Sequence, residues 1–535
     1  KAIVDTEPEK IEIINEDIKE DLIEKAIEAT KDQQEGNLIE EEDLTDAVTD
    51  IIVKTDTTTA AKMIEEINEI DTETNLSLKV ISGISEKDSG KLNELSDNNK
   101  EQMDELTTDA VQKAENTSED SQLIANVVAV VNDDLVNKVV EEVSKTSTDE
   151  KQTLSAKVLK AIVDTEPSKI ENINEETKTT IIKQTLEAAK NQEEGQIVEE
   201  ENLSDVVADI VVKTDVETAS KIIEEVNNTE TETSLSLKVM SGISEKDANK
   251  INELAENNKD NIDKLTEKAV QSAKSTKEDS ELIAKVVSVV NDDLANKVVE
   301  EVSKNSLDEK ESLSAKVLNE VISIKPDKFE IINEDLQQTI IDQAVSASKN
   351  QAEGNLEDSD DLSNTLAEIV TKAEIETSSK LINTISETTD ETDSKLALNI
   401  IDNLSKKENF EEKLEILTVT SSEVDKNISK IVDKAVEKVE TDEDVNKVKT
   451  IIENSKGTIS DKIIDTANNK KKNKETISNI IVDIIKTNPE KAVEIIEKNK
   501  NTKTVVDTIK TKIEKKEAVT TKDFEDVFDT NVSPN

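Results

Sequence analysis

Three acidic runs stand at corresponding places along this chain: Glu40, Glu41, Glu42 and Asp43; then Glu199, Glu200 and Glu201; then Glu357, Asp358, Asp360 and Asp361. Hard cations take several oxygen ligands from a flexible loop, so these runs are candidates for weak calcium sites. The competing reading is acids that favour helix N-termini and solvate a surface. No EF-hand spacing occurs. A carboxylate pair is also the equipment of glycoside hydrolysis. With 123 acidic residues, however, some pairs fall at suitable distances by chance, and aromatic platforms for sugar are missing. His, Cys, Tyr, Trp and Arg are absent, which removes the usual proton carriers, nucleophiles and anion clamps. A non-enzymatic protein with no cofactor is expected.

Three other stretches invite a chemical reading. "GISEKDSGK", Gly83 to Lys91, has the flavour of a phosphate-binding loop, but six residues separate its glycines and Leu92 stands where Ser or Thr belongs. A turn opening a helix at "SEKD" fits better. Near the end the charge reverses, with Lys470, Lys471, Lys472 and Lys474 nearly contiguous, a candidate contact for the acidic flank of another copy. Its plain alternative is a solvated loop. Beyond it, Phe524 and Phe528 lie four apart in an acidic tail. They are candidates to cap an open core, to dock, or to begin a linker.

Such residues need a scaffold, and the chain writes its scaffold more than once. "VVNDDLVNKVVEEVSK" at 130–145 returns as "VVNDDLANKVVEEVSK" at 289–304, a displacement of 159 positions. That shift aligns residues 1–159 with 160–318, and an eroded third copy runs over 319–477; 478–516 form a last helical unit and 517–535 an acidic tail. Within each copy a period of about 80 appears, since "SLKVMSGISEKDANKINEL" at 236 answers "SAKVLKAIVDTEPSKIENI" at 155. Matching apolar runs alternate in spacing by roughly 48 and 32 residues, room for three helices and for two. Lys1 corresponds to Lys160, inside the helical run "SAKVLKAIV", so the chain is expected to continue upstream.

Helix punctuation supports this division. Asn132 is placed to cap a helix whose first turn holds Asp133 and Asp134 and whose stripe is Leu135, Val136, Val139, Val140 and Val143, with Lys138 and the Glu pair off it. Pro8, Pro167, Pro326 and Pro489 sit where first helical positions are expected. Gly36, Gly195 and Gly354 follow long helices where a left-handed cap demands glycine. The result is an all-α fold, an α-solenoid of two- and three-helix repeats organised as superrepeats of about 80 and 159 residues, in which each helix pair buries its apolar face against the next.

The pattern resembles HEAT and armadillo-type helical repeats over roughly residues 1–515, and "KTNPEKAVEIIEKN" at 486–499 also looks like the helical repeats of flagellar motor and magnesium-transporter cytoplasmic domains. Either resemblance implies an α-solenoid and a binding surface, with no activity carried over. A formal net charge of −56 argues against nucleic acid. No apolar run reaches the length of a membrane span. The expected function is a structural or scaffold protein of a cell-surface or extracellular fibre, layer or stalk that stacks on itself, with an extracellular setting favoured slightly over the cytoplasm. The alternative is a solenoid scaffold that recognises a basic peptide or protein.

Overall fold

The computed structural model describes residues 13–487 apart from 41–42, 71–73, 230–232, 392–394, 456–457 and 471–472, together with residues 6, 10, 511, 512, 515 and 517. Two compact units divide the chain, residues 1–272 and 273–535. No β-strand occurs among the described residues.

In the first unit the described α-helices are α1 (Glu16–Gln34), α2 (Leu44–Lys54), α3 (Thr57–Glu69), α4 (Leu76–Lys87), α5 (Ser89–Asn98), α6 (Lys100–Lys113), α7 (Ser118–Val130), α8 (Asp133–Thr146), α9 (Leu154–Thr165), α10 (Glu175–Glu193), α11 (Leu203–Lys213), α12 (Val216–Asn228), α13 (Leu235–Lys246), α14 (Ala248–Asn257) and α15 (Lys259–Ser272). They form two rows. Helices α2, α4, α7, α9, α11 and α13 pack in succession as one row, and α1, α3, α6, α8, α10, α12 and α15 as the other.

The second unit holds α16 (Lys277–Val289), α17 (Asp292–Asn305), α18 (Leu313–Ile324), α19 (Pro326–Glu330), α20 (Glu334–Ala352), α21 (Leu362–Lys372), α22 (Ile375–Glu391), α23 (Leu396–Ser405), α24 (Phe410–Thr420), α25 (Ser422–Glu437), α26 (Asp442–Asn454), α27 (Thr458–Lys470) and α28 (Lys474–Thr487). Its first row is α16, α18, α21, α23, α26 and α28; its second is α17, α20, α22, α25 and α27. Each unit is therefore a stack of helix pairs and triples. The triples insert a short element between the rows: α5, the 3-10 turn Pro167–Ile170, α14, α19 and α24.

Local sequence explains the helices, and packing holds them. The Asn132 side chain accepts from Leu135 N at 3.0 Å, and Leu135, Val136, Val139, Val140 and Val143 of α8 are all buried. Fourteen residues alone are marginal as a helix in water, so this stripe must be covered for α8 to persist. Gly36, Gly195 and Gly354 adopt φ of +76°, +73° and +76° after α1, α10 and α20, the left-handed caps their position requires. Pro167 opens a 3-10 turn and Pro326 a five-residue helix, shorter elements than a full helix start. Pro8 and Pro489 lie outside the described residues.

One expectation of the stripe changes. Glu142, expected off it, is buried, because Lys138 and Lys145 both donate to its Oε1, at 3.0 and 2.9 Å. Burial pushes its carboxyl up, but the two ammonium groups outweigh that and hold it below the ordinary value. Lys297 and Lys304 hold Glu301 of α17 in the same way.

Candidate binding site

The acidic runs turn out to be internal counterions and caps. Glu40 is exposed, Asp43 caps α2 by accepting from Thr45 N at 2.9 Å, and Glu41 and Glu42 lie outside the described residues. Glu199 accepts from the Thr153 hydroxyl at 2.7 Å and pairs with Lys157 at 3.0 Å; Glu201 stands 3.7 Å from Lys160, and Glu200 is exposed. In the third run Lys316 bridges Asp358 at 2.8 Å and Asp360 at 2.9 Å, while Asp361 caps α21. Burial raises the Asp358 carboxyl, but Lys316, the Ser312 hydroxyl and the Asp360 N–H together bring it below its ordinary value. Among the described residues no group of three or more acidic side chains is gathered as a metal would need.

The stretch resembling a phosphate loop is structural. Gly83 lies inside α4, which runs on through "SEK" to Lys87, and Asp88 is the break that caps α5, so the new helix opens at Ser89 and not at "SEKD". Buried Lys91 donates to the Thr55 carbonyl at 2.9 Å, at the C-terminal cap of α2. Lys169, Lys250, Lys328 and Lys413 make the same bond to the caps of α7, α11, α16 and α21. Each short element thus sets an ammonium on the negative end of a first-row helix. This role of lysine was not foreseen; its signal is one lysine in every short element. Lys470 ends α27 and Lys474 opens α28, whereas Lys471, Lys472, Phe524 and Phe528 lie outside the described residues.

The first row of the second unit carries the candidate site. A hollow of about 510 Å³ is walled by the loop before α21 and by α23 and α26, with Asp358, Asp361, Asn399, Asp402, Asn403 and Lys447 among its lining. A second, of about 400 Å³, lies between α18 and α21 and includes Asn319, Glu320, Asn364 and Glu368; the two share Asp360 and Asp361. Burial raises the Glu320 carboxyl, with Glu281 adding to the shift. The joined lining is polar throughout, with acids, amides and the lysines Lys277, Lys316, Lys372, Lys406 and Lys447.

Sequence shows how this surface departs from its counterparts. "LALNIIDNLSKK" at 396–407 corresponds to "LSLKVISGISEK" at 76–87 and "LSLKVMSGISEK" at 235–246. Ser82–Gly83 and Ser241–Gly242 therefore become Asp402–Asn403. A Cβ on Gly242 would stand 2.8 Å from Ala208 Cβ, and one on Gly83 2.9 Å from Thr49, so α4 and α13 sit too close to their neighbours for a side chain. Asn403 has one, and its amide donates to Asp361 at 3.0 Å.

No family model matches the chain, and no curated protein is similar to it in sequence. Among solved structures it is similar to Kap121p bound to Nup53p, at 9% identity and a TM-score of 0.34, over 90% of this chain and 68% of that one. It is also similar to the karyopherin Kap121p bound to the SUMO protease Ulp1p, at 10% identity and a TM-score of 0.33, over 93% of this chain and 59% of that one. Importin beta matches at 7% identity and a TM-score of 0.22, over 94% and 88%. At this distance the architecture rests on the two rows of helices within each unit themselves.

Each unit is an all-α solenoid, HEAT- and armadillo-like in fold.

Two expectations are corrected here. The self-stacking cell-surface fibre and the extracellular setting that accompanied it are withdrawn; the solved structures named above are of Kap121p and importin beta, not of a fibre, layer or stalk. The chain itself supplies the physical reason: a spacer needs interchangeable copies, and Asp402–Asn403 makes one copy's surface unlike the others.

Proposed function

We propose that the chain is a non-enzymatic, protein-binding solenoid scaffold whose partner presents a basic, extended segment. The observation that carries this is the joined pair of polar hollows on the first row of the second unit, lined by Asp358, Asp360, Asp361, Asp402, Glu320 and Glu368 with amides and lysines interspersed. Amides can pair with both the N–H and C=O groups of a peptide backbone, and although most of these carboxylates already pair with lysines of the chain, its net charge favours cationic over anionic side chains. A formal net charge of −56 steers such a partner inward and repels nucleic acid. The organisation into superrepeats over 1–159, 160–318 and 319–477, with halves of about 80, belongs to the same proposal: recurrent scaffold in two copies, divergence for recognition in the third.

The test is fluorescence anisotropy of the whole chain with a labelled basic peptide and an acidic one of equal length, over a range of salt. The basic peptide is expected to bind, with affinity falling as salt rises. Equal binding of the two peptides, or affinity indifferent to salt, overturns the proposal.

A further inference from the structure

The lysine that each short element sets on a helix end also fixes a register along that element. Three residues after it the side chain is exposed: Glu94, Asn172 and Glu253 follow Lys91, Lys169 and Lys250 in the first unit, whereas Ile331 and Ile416 follow Lys328 and Lys413 in the second. Between these two isoleucines lies a third. Ile375 opens α22, where Thr377 donates to Glu330 of α19 and Lys413 of α24 donates to the Ala373 carbonyl. Its counterpart Thr57 donates to Glu94, so the positions of Ile375 and Ile416 adjoin.

Ile331, Ile375 and Ile416 are 47%, 38% and 44% exposed, and Val419, one turn beyond Ile416 where α5 and α14 hold Asp97 and Glu256, is 82% exposed. The first unit has no such run among the described residues: Ile13 has Thr57 and Glu94 after it, and Val216 stands between Asn172 and Glu253. A single exposed isoleucine needs no explanation, whereas a run over three successive layers is the kind of patch that marks an interaction site. Glu374, Glu412 and Glu415 beside it are exposed, and the last two form no ion pair among the described residues.

We propose that this edge of the second unit docks an amphipathic helix of a partner protein, with bulky apolar side chains seven residues apart and lysine or arginine flanking them. Helices α20, α22 and α25 follow one another in the second row, and Ile331, Ile375 and Ile416 stand at or shortly before their starts. Packed helices lie about 8–10 Å apart, and a helix rises about 10.5 Å in seven residues. Such a stripe therefore meets one isoleucine per layer. The three glutamates and the net charge of −56 select basic flanks over acidic ones. None of these side chains lines the two hollows, so this contact stands or falls apart from them.

The whole chain is titrated, by anisotropy, with three labelled helical peptides of about 18 residues: one rich in Lys with Leu at every seventh position, one with Ala for Leu, and one with Glu for Lys. The Lys–Leu peptide is expected to bind about tenfold more tightly than either control. Ile331→Asn with Ile416→Gln, which restores the polar character of the first unit without adding charge, is expected to remove the advantage of Leu over Ala and to leave the denaturant midpoint unchanged. If the two Lys peptides bind alike, if neither binds, or if the Leu advantage survives the double substitution, the docking edge is overturned. Self-association of the unaltered chain that the double substitution abolishes would make a second copy the occupant and overturn the partner helix.

Discussion

The α11–α13 contact of the first unit and the α21–α23 contact of the second occupy the same place in their stacks, and among their differences Ser241–Gly242 stands against Asp402–Asn403. In the first, Gly242 lets the helices approach until a Cβ would meet Ala208 Cβ at 2.8 Å. In the second, Asn403 spends its side chain on Asp361, and Asp402 lines a hollow of about 510 Å³. A second difference runs alongside. The α9–α11 seam is spanned by Lys160, Asp164 and Lys213, with Lys160 2.7 Å from Asp164. At the α18–α21 seam Asn319 and Ser323 replace the first two, and a hollow of about 400 Å³ lies there. The same backbone plan thus serves as closed scaffold or as open surface according to a few side chains between first-row helices.

The comparison can be broken most forcefully at Gly242. Gly242→Asn overpacks a contact with no spare room and is expected to cost about 1 to 3 kcal/mol, seen as a lower denaturant midpoint and faster amide exchange confined to α11 and α13. Ala208→Gly in the same chain should recover part of that loss; no recovery would mean the close approach is not what glycine secures.

Next in size is Asp444, which fixes α26, the far wall of the larger hollow. Burial pushes its carboxyl up, but Lys395 at 2.7 Å and the Glu440 and Thr441 donors bring it down to about 2. Its folded pKa lies below the ordinary 3.8, so its contribution is complete above about pH 4 and is lost as pH falls through about 2. Asp444→Asn should cost up to about 2 kcal/mol at neutral pH. An acid titration should then lose that share of its dependence between pH 4 and 2; a variant whose acid profile matched the parent would refute the assignment.

Asn403→Gly sharpens the comparison from the open side. It forfeits the bond to Asp361, a loss of about 1 kcal/mol, and by letting α23 approach α21 it should weaken a basic peptide without altering the first unit's amide exchange. The smallest effect belongs to the surface ion pairs. Lys160→Asn with Asp164→Ser should change stability by only about 0.5 kcal/mol, an effect that fades in high salt, because exposed pairs contribute little.

Much of the fold was legible because its signals are local. Asn132, Gly36 and Pro326 act on backbone groups within a few residues, so their positions announce caps and starts without reference to the rest of the chain. The acidic runs were visible but their use was not. Glu199 meets Lys157 across 42 positions, and Lys316 meets Asp358 across the same distance, pairings that depend on how rows stack. The Asp402–Asn403 pair carried a faint signal, the loss of Ser–Gly from an otherwise recurrent helix, but its consequence is a distance between two helices.

By itself, then, the sequence determined that this protein is all helical, where several of its helices begin and end, that it repeats, and that it is strongly acidic, since periodicity, capping chemistry and composition act within a few residues or over the whole chain. Only the tertiary structure decided which lysines neutralise helix ends, which carboxylates are already paired, and which exposed isoleucines adjoin. Those outcomes turn on separations of a few ångströms between residues far apart in the chain, where one side chain between packed helices decides whether a seam closes.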